Sequence, residues 1–310
     1  MSKRCPITYL PIDDDQYYHP NGLKLLAPQL KSLAPLPFTA RELRHEALKR
    51  AEKMSIQGVQ YKLSAKLNIK QGCFEFTDHQ GKFILKPQSD AYPFLPENED
   101  LTMRLARTLN IEVPLHGMVY NISNELTYFI KRFDRSGHKD KLALEDFAQL
   151  SGSSRDTKYD FSMEKLIPII ETYCTFPQIE KNKLFVRTVF NFLVGNEDMH
   201  LKNFSLITRN KKIELAPAYD FINSTLAVSH TKEQIALPLR GKKSNLNNKD
   251  FVEYFAHDKL NLNEKTIEQF LNLLQYQTQQ WDNIIQQSFL PDNYKVNYQR
   301  ILHERLKVFI

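Results

Sequence analysis

Gly195-Asn196-Glu197-Asp198-Met199-His200-Leu201-Lys202-Asn203-Phe204-Ser205 carries an acid, an imidazole, an ammonium and an amide between Asp198 and Asn203. The run before it, Ile179 to Val194, places Phe185, Val189, Phe190, Phe192 and Leu193 at helical spacing. Asn203 lies five residues after Asp198, and Tyr219-Asp220 follows, with Asp220 seventeen beyond Asn203. Phosphoryl transfer needs one carboxylate left free to orient the attacking hydroxyl and separate oxygen ligands for a hard cation. An Asp, an Asn and a later Asp provide that division. The same residue types build ordinary surface turns, so the rest of the chain decides between the two readings.

The 310 residues suffice for one large domain or two lobes. Hydrophobic content of 42% and charged content of 25% are those of an ordinary globular chain. A formal charge of +6 is compatible with phosphates or acidic surfaces and does not by itself argue for nucleic acid. Cys5, Cys73 and Cys174 form neither a zinc pattern nor a disulfide framework, which suggests a reducing, cytoplasmic setting. No signal peptide is legible, and no run approaches the ~20 apolar residues of a membrane span.

Upstream, Tyr17 to Gly22 reads as a turn. Thr39 with Glu42 is a capping-box signature that opens a helix from Ala40 to about Lys53. Strands are expected after Tyr61, at Phe74 to Phe76 and at Lys82 to Lys86, with a turn at His79 to Gly81. Pro96 to Leu109 reads as a helix with Glu97, Glu99 and Asp100 as dipole-favouring acids in its first turn. Leu115 to Tyr120 and Leu126 to Phe133 read as a hairpin. Beyond Arg135, helices are expected at Leu142 to Leu150, Met163 to Tyr173, Ile179 to Val194, Phe251 to Phe255, Ile267 to Ile285 and Tyr294 to Phe309. A hairpin at Ser205 to Leu215 and a loop over Ala216 to His230 lie among them. The expected fold is α+β and bilobal, like that of protein kinases. A strand-rich N-lobe (residues 1–135) would carry the phosphate loop, strand lysine and hinge. A helical C-lobe (136–310) would carry the catalytic and metal-binding loops.

Each part of a kinase site has a candidate, in kinase order. Gln57-Gly58-Val59-Gln60 could present backbone amides to phosphates, or be a tight turn with its single glycine. Lys86 closes an apolar strand, as a phosphate-binding lysine or as a snorkelling edge residue. Glu99 is the chosen partner for it. Lys131-Arg132-Phe133 follows a strand as a hinge for a nucleobase, with Phe133 stacking on the base or joining the core. Asp198, Asn203 and Asp220 complete the set. His200 and Lys202 have equally plain structural readings.

The stretches Ser55 to Lys62, Phe83 to Lys86, Arg132-Phe133-Asp134-Arg135, Glu145 to Gln149, Asn196 to Asn203 and Ala218-Tyr219-Asp220 resemble the HipA-type serine/threonine kinases, toxins of bacterial toxin–antitoxin pairs. The resemblance implies ATP and Mg2+ as cofactors, Asp198 as catalytic base, and Asn203 and Asp220 as metal ligands. It implies nucleotide contacts from Gln57, Gly58, Val59, Gln60, Tyr61, Lys62, Lys86, Lys131, Arg132, Phe133, His200, Leu201, Lys202, Asn203, Tyr219 and Asp220. Ser55 would be the autophosphorylated, inactivating serine. Two departures stand out. Lys131 occupies a hinge position that is commonly acidic. The phosphate loop also arrives by residue 55, too early for the additional N-terminal subdomain of the full-length family. This looks like the split arrangement, in which a small separate protein supplies that subdomain and a helix-turn-helix DNA-binding protein completes the operon. The target implied is an aminoacyl-tRNA synthetase. Two other classes stay open: a catalytically silent kinase-like module in a repressor complex, and a small-molecule kinase.

Overall fold

The computed structural model describes residues 3–51, 60–137, 140–152, 161–228 and 233–310. Ser55, Gln57, Gly58 and Val59 lie outside the described residues. The chain divides into two compact units. The first comprises Met1–Leu101, Pro114–Lys139 and Gln287–Leu290, and the second Thr102–Val113, Asp140–Gln286 and Pro291–Ile310.

The first unit is a five-stranded antiparallel sheet packed with two helices. The strands are β1 (Leu63–Asn68), β2 (Cys73–Phe76), β3 (Phe83–Lys86), β4 (His116–Tyr120) and β5 (Leu126–Lys131), in the order β2-β1-β3-β5-β4. Their inward side chains, including Leu63, Ala65, Phe83, Leu85 and Phe129, join Leu23 and Leu43 from the helices in one core. Phe74, Phe83 and Phe129 form a mutual cluster: Phe83 meets Phe74 and Phe129 edge-on at centroid distances of 5.2 and 6.1 Å, and Phe74 and Phe129 are 5.9 Å apart. Helix α1 (Pro20–Leu26) replaces the turn expected there. Proline is preorganised for a first helical position, and the His19 imidazole accepts from the Asn21 N–H at 3.1 Å. Helix α2 (Ala40–Ala51) opens on the expected capping box: the Thr39 N–H donates to Glu42 at 2.8 Å and the Glu42 N–H to Thr39 Oγ1 at 3.3 Å.

Helix α3 (Leu95–Thr108) begins in the first unit and ends in the second. Short strands β6 (Arg135–Ser136) and β7 (Asp140–Lys141) follow β5. In the second unit, Leu142 to Leu150 is not one helix. Leu144–Asp146 forms strand β8, paired with strand β9 (Ser205–Arg209) so that Leu144 faces Ile207. Asp146 then caps the single turn α4 (Phe147–Leu150), accepting from the Gln149 N–H at 2.8 Å. The apolar run is too short for its period to separate the two structures, and cross-strand pairing decides. Strand β10 (Lys212–Leu215) completes a β10-β9-β8 sheet.

The rest is helical: α5 (Leu166–Tyr173), α6 (Pro177–Leu193), α7 (Ser224–Ala227), a π-helix (Asp250–Lys259), α8 (Glu264–Gln287) and α9 (Asp292–Leu306). Helix α7 falls in the stretch expected to be loop. Aromatic contacts run through this core, from Trp281 to Phe190 (6.1 Å) to Phe221 (5.5 Å), and from Phe192 to Phe251 (4.8 Å). Among the described residues, no helix is long and apolar enough to cross a membrane.

Candidate active site

In the first unit, the three acids of α3 do not serve as exposed dipole partners. All three are buried, and only Glu97 falls in the first turn. Each has its own partner. Glu99 accepts from the Lys86 ammonium at 2.5 Å, with both side chains at most 1% exposed. Asp100 meets His116 Nδ1 at 2.9 Å. Glu97 accepts from Gln88 Nε2 at 2.8 Å, and burial pushes its carboxyl up to about 7 against that bond. The choice of Glu99 among the three acids is thus the one paired to the strand lysine. Lys86 closes β3 opposite Tyr128 of β5, and its ammonium sits 5.5 Å from that ring's centroid. Gln60 reaches the other Glu99 oxygen at 3.5 Å. Tyr61 is partly buried and packs against the apolar core. Lys62 is half-buried beside it, just ahead of β1.

At the expected hinge, two backbone donors are already used. The Lys131 N–H donates to the Leu115 carbonyl and the Arg132 N–H to the Lys82 carbonyl, both at 2.8 Å. Hydrogen bonds from these two amides to a nucleobase are therefore excluded in this conformation. The Lys131 side chain is exposed. The Arg132 guanidinium is turned to Asp134, with bonds of 2.9 and 2.6 Å. Burial alone would raise the Asp134 carboxyl, but those bonds and the charges of Arg132 and Arg135 outweigh it and leave it lowered. The motif here forms an ion cluster of Arg132 and Arg135 on Asp134, and Phe133 is half-buried.

In the second unit, α6 ends and the chain reverses at Gly195, whose φ of +73° suits glycine. The buried Asn196 amide donates to Asn191 Oδ1 at 2.8 Å, and its own oxygen accepts from the Asp198 N–H at 3.2 Å. The His200 N–H closes on the Asp198 carbonyl at 2.8 Å, with the His200 ring buried beneath. Leu201 to Asn203 form a 3-10 turn, with Leu201 buried in the core. Asn203 Nδ2 donates to the Asp198 carbonyl at 3.0 Å, which presents Oδ1 as an acceptor. Phe204 accepts from the Phe147 N–H at 2.9 Å, so α4 braces the same loop.

The loop bearing Asp220 lies alongside. Tyr219 donates to the Lys202 carbonyl at 2.9 Å and meets Ser205 Oγ at 2.5 Å, so its hydroxyl is spent within the protein. Burial pushes that hydroxyl upward, against the Ser205 bond. Beyond Asp220, the Thr225 N–H and Ser224 Oγ both donate to the Gly195 carbonyl at 3.1 Å. The two loops are thus joined on both sides of Asp220. Asp220 itself has φ +55°, a left-handed conformation uncommon outside glycine and concentrated at functional positions. Phe221 beside it is fully buried against Phe190. Arg187 of α6 steadies the approach, donating to the Ala216 carbonyl at 2.7 Å, and burial lowers its guanidinium to about 10.

Asn203 Oδ1 and the Asp220 carboxylate are hard oxygen donors on adjacent loops. Two such ligands suit a cation whose other positions are filled by phosphate oxygens and water. Among the described residues, no cluster of three His, Cys, Asp or Glu could form an all-protein metal cage. The residues not evident from sequence are the supports: Asn191, Asn196, Arg187, Ser224 and Thr225. Only Asn196, inside the quoted motif, gave any signal.

The fold is that of protein kinases. HipA of Shewanella oneidensis, solved with HipB and operator DNA, superposes with a TM-score of 0.68 and 22% identity over 89% of this chain and 73% of that one. The Helicobacter pylori proinflammatory kinase CtkA gives 0.55 and 16% over 79% and 93%. The chain belongs to the HipA-like family: the HipA-like C-terminal domain matches residues 54–281. A Haemophilus influenzae protein named "Putative kinase" is 30% identical over 93% of this chain and 92% of its own length. The Shewanella serine/threonine-protein kinase toxin HipA is 28% identical over 55% of this chain and 43% of its own length. Against that toxin, and against a Sinorhizobium fredii relative at 57% of its length, the chain spans about half of the relative.

Proposed function

We propose that the chain is an ATP-dependent protein serine/threonine kinase acting as the toxin of a bacterial toxin–antitoxin system. The observation that carries this reading is the joining of the Asp198–Asn203 loop to the Asp220 loop on both sides of Asp220. When bound, a magnesium nucleotide would supply the electrophilic phosphoryl group. Asn203 Oδ1 and Asp220 would hold its metal. Asp198, with its backbone fixed by His200 and Asn203, orients the acceptor hydroxyl and takes its proton at a carboxylate oxygen. Lys86, held by Glu99, is assigned to the phosphates, together with the loop from Gln57 to Lys62. Phe133 and the carbonyls around it are left to meet the nucleobase, since the Lys131 and Arg132 amides are engaged. Residues 1–135 and 136–310 are taken as the two lobes.

Ser55 is the proposed autophosphorylation site. A phosphate there adds roughly two negative charges beside the phosphate loop, opposing a second triphosphate. The acceptor in trans is proposed to be an aminoacyl-tRNA synthetase. A helix-turn-helix DNA-binding protein and a small antitoxin-like protein carrying the N-terminal subdomain are the proposed partners. The complex of HipA with HipB and operator DNA supports the first of these.

Peptide mass spectrometry of the purified protein before and after magnesium–ATP tests the reading. Phosphate is expected on Ser55 in the parent and absent in Asp198→Asn. A parent that gains no phosphate, and transfers none to a synthetase mixture, overturns it.

A further inference from the structure

Arg305 lies near the end of α9, more than a hundred residues from Asp198, in a stretch that sequence reading assigns only to a closing helix. It is 8% exposed. Its guanidinium gathers four segments of the second unit. Nη1 donates to the Phe192 carbonyl at 2.6 Å, at the end of α6, and to the Gln234 carbonyl at 2.9 Å. Nη2 donates to Glu197 Oε1 at 2.9 Å and to Thr225 Oγ1 at 3.2 Å. Thr225 in turn donates to the same Glu197 oxygen at 2.7 Å. The guanidinium Cζ also lies 5.3 Å from the Phe192 ring centroid.

These partners are not arbitrary. Glu197 is the immediate neighbour of Asp198, and its N–H donates to Ser224 Oγ at 2.7 Å. Thr225 is five residues past Asp220. A Cβ on Gly195 would come within 2.8 Å of Thr225 Oγ1 and 2.9 Å of Asn223 Oδ1, so the two loops pack tightly here. A planar fork with fixed donor directions can hold both loops in one register, which a point ammonium cannot. Burial lowers the Arg305 guanidinium, and the charge and hydrogen bond of Glu197 oppose that only in part.

We propose that Arg305 is a positioning residue for phosphoryl transfer: through Glu197 and Thr225 it fixes the catalytic loop against the metal-binding loop. This rests on the kinase reading above, and it assigns the C-terminal helix a part in the geometry of the metal site. Arg305 touches neither nucleotide nor acceptor in this scheme. It sets the separation between the Asp198–Asn203 turn and Asp220.

The test compares Arg305→Lys, Thr225→Val and their combination with the parent. Tyr298→Phe serves as the control, since it removes a buried α9 hydroxyl 2.9 Å from Thr102 and outside the network. Two readouts are taken. The first is amide hydrogen exchange without nucleotide. Arg305→Lys should speed exchange at 195–203 and 218–225 together, with α5 unchanged, whereas Tyr298→Phe should not. The second is transfer of phosphate as a function of magnesium. Arg305→Lys should raise the magnesium concentration for half-maximal rate by about tenfold and lower kcat by at least about tenfold, with the ATP KM at saturating magnesium moving less than about threefold. Residues that act through one contact set are not additive, so the combined variant should match the worse single variant. Unchanged exchange in both loops, or a lowered melting temperature with parental magnesium dependence, overturns the proposal. If the parent transfers no phosphate, the kinase reading fails, and the exchange result alone decides whether Arg305 couples the loops.

Discussion

Breaking the Lys86–Glu99 pair should be costly in a way that separates stability from activity. The contact is 2.5 Å long, and neither side chain is more than 1% exposed. Glu99→Ala leaves a buried ammonium without its carboxylate, a change that costs about 3–5 kcal/mol in buried pairs. That is a large share of the roughly 5–15 kcal/mol that holds a domain folded. At ~1.4 kcal/mol per decade, the unfolding equilibrium moves by two to nearly four orders of magnitude. Glu99→Gln keeps an acceptor for the ammonium and should cost less. Replacing both partners by apolar residues of similar volume, Lys86→Met with Glu99→Leu, should recover most of the loss, because no charge then has to be desolvated. Urea unfolding followed by circular dichroism measures this series, and phosphate transfer is assayed alongside. The double variant should be the more stable protein and yet inactive. A Glu99→Ala cost below about 1 kcal/mol, or a double variant no more stable than the single, would refute the argument.

Three further outcomes are expected. Glu97 has a folded-state pKa of about 7 against an ordinary 4.5, so its contribution to stability is fully present below about 4.5 and is lost as pH rises to about 7. The loss is about 3 kcal/mol, and Glu97→Gln should flatten the difference between urea midpoints at pH 5 and pH 8. Tyr219→Phe removes the hydroxyl shared by Lys202 and Ser205 and should cost about 1–2 kcal/mol in thermal unfolding. Gly195→Ala forces a side chain into a left-handed position and against Thr225. It should cost at least about 1–2 kcal/mol and lower transfer, as melting and rate measurements would show.

Much of this was readable from the chain because the signals were local. The α6 run and its glycine, the Thr39–Glu42 cap and the hairpin of β4 and β5 depend on neighbours in sequence. What escaped depends on distant partners. Leu144 became a strand residue because Ile207 pairs with it. Glu97, Glu99 and Asp100 look alike in sequence, and only Gln88, Lys86 and His116, brought from other elements, give them different roles. The Arg132-Phe133-Asp134-Arg135 motif read as a hinge, yet two of its nearby amides are closed by sheet bonds that no spacing reveals. Tyr219 matched a ligand-lining position, while its hydroxyl serves the loop instead. Arg305 gave no signal at all, since a basic residue in a last helical turn is ordinary.

The central claim is that Asp198 acts as the base in a phosphoryl transfer supported by Asn203 and Asp220. Single-turnover transfer from γ-labelled ATP, in the parent and in Asp198→Asn, tests it most directly. The account predicts measurable transfer by the parent and a fall of about 10²–10⁴ in the variant, with nucleotide binding retained. Transfer by Asp198→Asn at the parental rate would contradict it.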